Sequence, residues 1–209
     1  MLLSKMNAKQ AGFTLLELMV TIALLAVLIG FAVPNFQAFI RSSRMSGAAN
    51  DVITDFNLAR SEAVKRRVPV TLCKSQDGTT CDADATAAFR SWIIFVDDAD
   101  PAVAAGTDGN GVVNTGELIL RQRTIANTLT VRSNTNARQA IFLATGFPNP
   151  TAAGNVTSLI LCDDRGNATG VGGGSAARAI NIAPTGRPQV TRDKTKIASL
   201  ITSLGVSCP

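Results

Sequence analysis

Glu17 stands alone as a carboxylate in an otherwise apolar run, Phe13, Thr14, Leu15, Leu16, Glu17, Leu18 and on to Val33. A charge in such a helix costs on the order of 2–3 kcal/mol on membrane-insertion scales and marks a site for a partner. The fitting partner is a cation from another molecule, because the run itself carries none. Four cysteines, Cys73, Cys81, Cys162 and Cys208, are the next chemically able residues. An even count beyond a membrane segment suits disulfides in an oxidising compartment. All three pairings stay open, although the polar turn at Gln76, Asp77 and Gly78 favours Cys73 with Cys81, leaving Cys162 with Cys208.

Other chemistry is poorly supplied. The chain has no histidine and no tyrosine, which removes several general-base and nucleophile arrangements. No Cys-x-x-Cys occurs, so a zinc site lacks ligands. Asp97, Asp98, Asp100, Asp108, Asn110, Asn114 and Glu117 offer hard oxygen ligands, but their spacing does not fit an EF-hand. Asp, Asn and Gly also build turns through local hydrogen bonds, and an acidic turn is the reading adopted. The Gly170–Gly174 stretch lacks the Lys-Ser or Lys-Thr ending of a phosphate-binding loop. No active site, metal or cofactor is expected.

The elements that carry these residues follow from patterning. At 209 residues and 46% hydrophobic content the chain suits one globular domain plus extra segments. Residues 1–12 hold Lys5 and Lys9 and no acid, so the charge lies on the side that remains cytoplasmic. The apolar segment 13–33 is longer than the core of a secretory signal and has no small-residue cleavage site after it. Its 21 residues match one crossing of a hydrocarbon layer about 30 Å thick. Pro34 lacks a backbone N–H and should kink the helix or loosen its turn. From 34 to 67, Met45, Ala49, Val52, Phe56, Ala59 and Ala63 recur at helical spacing. Arg41, Arg44, Asp51, Asp55, Arg60 and Glu62 are assigned to the opposite face, and Lys65, Arg66 and Arg67 suit the helix C-terminus.

Beyond Val68 the period changes to that of strands. Candidates are 68–73, 92–96, 117–123, 129–133, 139–143, 155–162, 177–183 and 189–192, with part of 197–206 as a further one. The expected fold class is α+β, a long N-terminal helix on an antiparallel β-sheet domain spanning 68–209. Charge divides unevenly: eight basic and four acidic residues before 68 (+4), two and eight over 68–120 (−6), ten and three from 121 onward (+7). Net charge speaks to association and not to fold.

The leader ending in Gly12, followed by Phe13 to Leu18 and later Pro34, resembles the type IV pilin and pseudopilin family. The resemblance implies cleavage between Gly12 and Phe13 by a prepilin peptidase, N-methylation of Phe13, and pairing of Glu17 with a neighbouring subunit's N-terminus. It also implies that the helix curves or melts near Pro34 within a filament. Leu58 to Ala63, Val70 to Cys73, the Trp92 strand, the acidic loop ending in Glu117, and Pro184 to Arg187 resemble the GspH/FimT branch in the same order. Implied partners are major and minor pilins or pseudopilins and the bacterial inner membrane, with a single span and a periplasmic C-terminal domain. Some FimT-branch members bind DNA through Gly-Arg-x-Arg near the C-terminus. Here Gly186, Arg187, Pro188 and Gln189 lack the second arginine, while Arg178, Arg192, Lys194 and Lys196 remain candidates for phosphate contact.

Overall fold

The computed structural model describes residues 12–84, 90–98, 109–134, 137–150, 152 and 154–208. The leader before Gly12, and Asp100 and Asp108 of the acidic loop, lie outside the described residues. Two units are formed, Met1–Ile40 and Arg41–Pro209, and helix α1 (Leu15–Arg66) runs through both.

In the first unit α1 continues across Pro34. Proline can offer no N–H to the carbonyl one turn earlier, yet the helix persists on both sides of it. In the second unit α1 buries Met45, Ala48, Ala49, Val52, Phe56, Ala59 and Ala63. Four of these are alanines, which let the sheets approach closely, while the Phe56 ring meets Phe142 edge-on at 6.2 Å. The helix stops at Arg67, whose φ of 61° is left-handed and whose N–H caps the Ala63 carbonyl at 2.9 Å.

Among the described residues eight strands make two antiparallel sheets: β1 (Val70–Lys74), β2 (Ser91–Val96), β3 (Ile119–Thr124), β4 (Thr130–Ser133), β5 (Gln139–Phe142), β6 (Ser158–Cys162), β7 (Arg178–Ile182) and β8 (Pro188–Thr191). Their orders are β3-β2-β1-β5 and β4-β6-β7-β8. The period of two explains how each sheet covers two cores. Val70, Leu72, Trp92, Ile94, Leu159, Leu161 and Ile180 face the α1 core. The alternate residues Cys73, Ile93 and Phe95 form a second cluster with Cys81 and Val113.

Within the segment 197–206, expected to include a strand, residues 197–204 instead belong to helix α2 (Lys194–Leu204). Ile197, Leu200, Ile201 and Leu204 follow one another at steps of three, one and three, a helical stripe that covers Ile160, Ala177 and Ala179. Asp193 caps its start, accepting from the Thr195 N–H at 2.9 Å and the Lys196 N–H at 3.1 Å, and Gly205 at φ 61° ends it.

Both favoured cysteine pairs are present, with Cα atoms 5.6 Å apart for Cys73–Cys81 and 5.7 Å for Cys162–Cys208. The second spans 46 positions of sequence and ties the chain end after α2 to β6. Loop-closure entropy makes it the larger contributor, about 4 kcal/mol against about 2.5 kcal/mol for the shorter loop. Replacing Cys162 and Cys208 together by serine should therefore lower the urea midpoint more than replacing Cys73 and Cys81, measured by unfolding of the full chain in detergent.

Candidate assembly site

The start of α1 is built by Thr14. Its side-chain oxygen accepts from the Glu17 N–H at 3.2 Å, and its carbonyl accepts from the Leu18 N–H at 3.1 Å. Thr14-Leu15-Leu16-Glu17 is thus the Thr-x-x-Glu pattern of a helix N-terminus. This cap was missed in the sequence reading, although the spacing carries it. It fixes Glu17 in the first helical turn, where a carboxylate is favoured by the helix dipole. Among the described residues no cation pairs with the Glu17 carboxylate.

Downstream of this turn the helix surface is apolar on every side. Leu15, Leu18, Ile22, Leu25, Leu28, Phe31, Phe36 and Phe39 are all exposed. The window is long and apolar enough to cross a membrane, and none of it is buried, unlike the core helix of a soluble protein.

In the second unit the helix is held by a buried ion cluster. Asp55, expected on the solvent face, is fully buried. Its carboxylate accepts from the Trp92 indole at 2.8 Å, Arg121 Nη1 at 2.8 Å and Arg123 Nε at 2.6 Å. Asp51 adds a second contact to Arg123 at 3.1 Å. The Asp55 bond holds the Arg123 guanidinium above its ordinary pKa. Four charged side chains, Asp51, Asp55, Arg121 and Arg123, and one indole thereby lock α1 to β2 and β3.

The candidate phosphate-contact residues separate. Arg178 is only 2% exposed; its guanidinium donates to the carbonyls of Ser175, Ala176 and Ala177, each at 3.0 Å, and to the Ser46 hydroxyl at 3.2 Å. Burial, with Arg192 and Arg165 nearby, pushes it below its ordinary pKa. It is a brace between β7 and α1, and the structure removes it from a nucleic-acid surface. Arg187, Arg192, Lys194 and Lys196 are exposed, but Arg192 donates to the Val171 carbonyl at 2.7 Å and Lys194 to the Thr169 hydroxyl at 3.0 Å.

In the acidic loop, Asp97 accepts from the Thr71 hydroxyl at 2.5 Å and from the N–H groups of Gly111 and Asn110 at 2.9 and 3.2 Å. Its oxygens organise a turn. Among the described residues no cluster of three or more acids or cysteines is placed to hold a metal ion.

Beside the Cys73–Cys81 bridge, the buried Lys74 Nζ meets the half-buried Asp82 Oδ2 at 3.0 Å. Gln76 chiefly, then the Asp84 N–H and Lys74, hold the Asp82 carboxyl below the usual carboxylate range. A carboxyl depressed in the folded state stabilises the protein above its unfolded pKa, about 4, and that stability is lost as pH falls through the lower folded value. Asp82→Asn should therefore flatten the acid limb of stability below about pH 4, read as Trp92 fluorescence against pH.

Residues 48–186 match the family model described as type II transport protein GspH, more than half of the chain. The chain belongs to the GspH family. Ahead of that region, residues 7–33 match the prokaryotic N-terminal methylation motif, which contains the Thr14 cap and Glu17. A stretch of 76 residues is 37% identical to prepilin peptidase-dependent protein D of Escherichia coli (strain K12), covering 35% of this chain and 44% of that protein. The chain thus matches less than half the length of that curated relative. Among solved structures, the type IV minor pilin FimU of Pseudomonas aeruginosa (strain PAO1) is 20% identical over 70% of this chain and 91% of its own, with a TM-score of 0.45. The minor pseudopilin EpsH from the type 2 secretion system of Vibrio cholerae is 12% identical over 71% and 97%, with a TM-score of 0.44. The architecture of this GspH family chain is α+β, a long N-terminal helix with antiparallel sheets.

Proposed function

We propose that this chain is a minor subunit of a type IV pilus or of a type II secretion pseudopilus, joining or priming the filament through α1 and catalysing no reaction itself. The observation that carries the proposal is a capped helix start leading into an apolar window with none of it buried, and a first-turn carboxylate that no cation pairs with among the described residues. A prepilin peptidase cuts between Gly12 and Phe13, leaving 197 of the 209 residues, and the new Phe13 amine is methylated. Before assembly, segment 13–33 spans the bacterial inner membrane once. Lys5 and Lys9 stay on the cytoplasmic side, so the disulfide-bonded domain faces the periplasm. In the filament Glu17 accepts the amine of a neighbouring subunit; in a low-dielectric bundle each group would be costly to bury alone. Pro34 gives α1 the point at which it can bend or loosen against its neighbours.

The test is crosslinking in the native envelope, purification of the tagged full-length chain, and mass spectrometry of its partners. Major and minor pilins would assign it to a pilus, and a major pseudopilin with secretion components to a pseudopilus. Recovery of neither would overturn the proposal. The exposed Arg187 and Lys196 support a second reading, DNA binding in natural transformation, which requires salt-sensitive DNA affinity of the purified chain.

A further inference from the structure

Asn110-Gly111 is the one Asn-Gly step in the sequence. A glycine nitrogen can attack the side-chain amide of the asparagine before it, because no β-carbon shields the approach. The fold arranges three groups around this step. Gly111 donates its N–H to Asp97 Oδ2 at 2.9 Å, so a carboxylate sits on the proton that the nitrogen must lose. Val112 donates its N–H to Asn110 Oδ1 at 2.6 Å, so a donor sits on the oxygen where negative charge gathers when the amide is attacked. Asn110 donates its own backbone N–H to Asp97 Oδ1 at 3.2 Å, which ties the residue and the carboxylate into one frame. Asp97 is fully buried, and the Thr71 hydroxyl fixes its Oδ2 at 2.5 Å. Gly111 is buried at φ 74°, a left-handed conformation that residues with a side chain resist, and a β-carbon there would fall 2.2 Å from Gln139 Oε1. Asn110 is half-buried and Val112 exposed, so water reaches the step from one side.

We propose that this turn is a self-modifying site, in which Asn110 is deamidated by its own backbone. Gly111 N gives its proton to Asp97 and bonds to Asn110 Cγ, and the Val112 N–H holds the oxyanion that forms on Oδ1. The bond from Cγ to the side-chain nitrogen then breaks. That nitrogen takes the proton from Asp97 and leaves as ammonia, and a succinimide ring joins residues 110 and 111. One water opens the ring at either carbonyl, leaving aspartate or isoaspartate. The sum is side-chain amide plus water giving carboxylic acid plus ammonia, with no oxidant or cofactor. A base placed on the proton and a donor placed on the developing charge are the two devices by which enzymes speed acyl transfer. Both are set here by a single turn. The product adds a negative charge to the segment 68–120, which already holds two basic and eight acidic residues. It stands beside buried Asp97, and like charges so placed repel. The modified turn is therefore looser, and the chain carries a chemical record of its age.

The test uses the purified full chain in detergent at neutral pH, incubated in heavy-oxygen water and then digested in ordinary water. Only residues hydrolysed during the incubation take up the label. Tryptic peptide 91–121, which carries Asn110 and Asn114, is fragmented to place it. Label at residue 110 should accumulate about tenfold faster in the folded chain than in the same chain held in urea, a modest share of the roughly hundredfold that one positioned base contributes. Asp97→Asn should slow labelling of the folded chain about tenfold, with folding followed by Trp92 fluorescence, and Asn110→Asp should remove it. Equal or faster labelling in urea would overturn the proposal, because the bonds from Gly111 and Val112 would then guard the step instead of driving it. So would label confined to Asn114, or wild-type labelling at residue 110 in folded Asp97→Asn. If Asp97→Asn does not fold, the wild type with and without urea decides alone.

Discussion

Asp55→Ala is expected to destabilise the domain by about 3 kcal/mol, an effect far outside that of a surface substitution. Removing one member of a buried ion pair leaves the others uncompensated, which costs about 3–5 kcal/mol when they stay buried. The lower end applies here because the Arg121 and Arg123 side chains are 36% and 26% exposed and Arg123 keeps Asp51. The Trp92 N–H, by contrast, is buried and loses its acceptor. The variant should show a lowered urea midpoint with an altered fluorescence of Trp92, the chain's one tryptophan. Asp51→Ala is the control; its side chain is 49% exposed, so it should cost under about 1 kcal/mol. Equal losses for the two would show that burial does not set the cost.

Glu17→Ala is expected to abolish most filament entry while leaving insertion and cleavage intact. Insertion should if anything improve, because a carboxylate at an apolar helix is unfavourable by about 2–3 kcal/mol. The Thr14 cap survives, since its bond is to the Glu17 backbone N–H and not to the carboxylate. What disappears is the acceptor for a neighbour's amine. Immunoblots of sheared filament and membrane fractions should show the variant processed, anchored and absent from filaments. Normal incorporation would refute the pairing and leave the exposed apolar face as the sole basis of assembly.

Most strands were legible because β1 alternates Val70 and Leu72 with Thr71 and Cys73, while β2, buried on both faces, leaves a continuous apolar run from Trp92 to Val96. The exceptions have physical causes. In α2 the apolar residues Ile197, Leu200, Ile201 and Leu204 carry a helical stripe, but Ser and Thr between them lower helix propensity and mimic strand alternation. Asp55 was placed outward because a charge in a helix is normally solvated. Its position three residues after Val52 and four before Ala59 puts it on the buried flank, and only the arginines of β3, 66 and 68 positions away, make that tolerable. Arg178 was misjudged similarly: Ala176, Ala177, Ala179 and Ile180 around it are an apolar run, and its carbonyl partners come from a backbone turn that sequence spacing does not reveal.

The methylation motif over residues 7–33 was legible because its residues are contiguous in the sequence. The Asp55 cluster was not, since it joins α1 to Arg121 and Arg123 of β3, which only the fold brings together.

The most direct measurement is intact-mass analysis of this chain recovered from sheared filaments or pseudopili, beside the membrane fraction. The expected result is a filament-borne species beginning at methylated Phe13, and a Gly12→Val precursor retained whole in the membrane. A filament-borne chain that keeps residues 1–12, or a processed chain found in no filament, would contradict it.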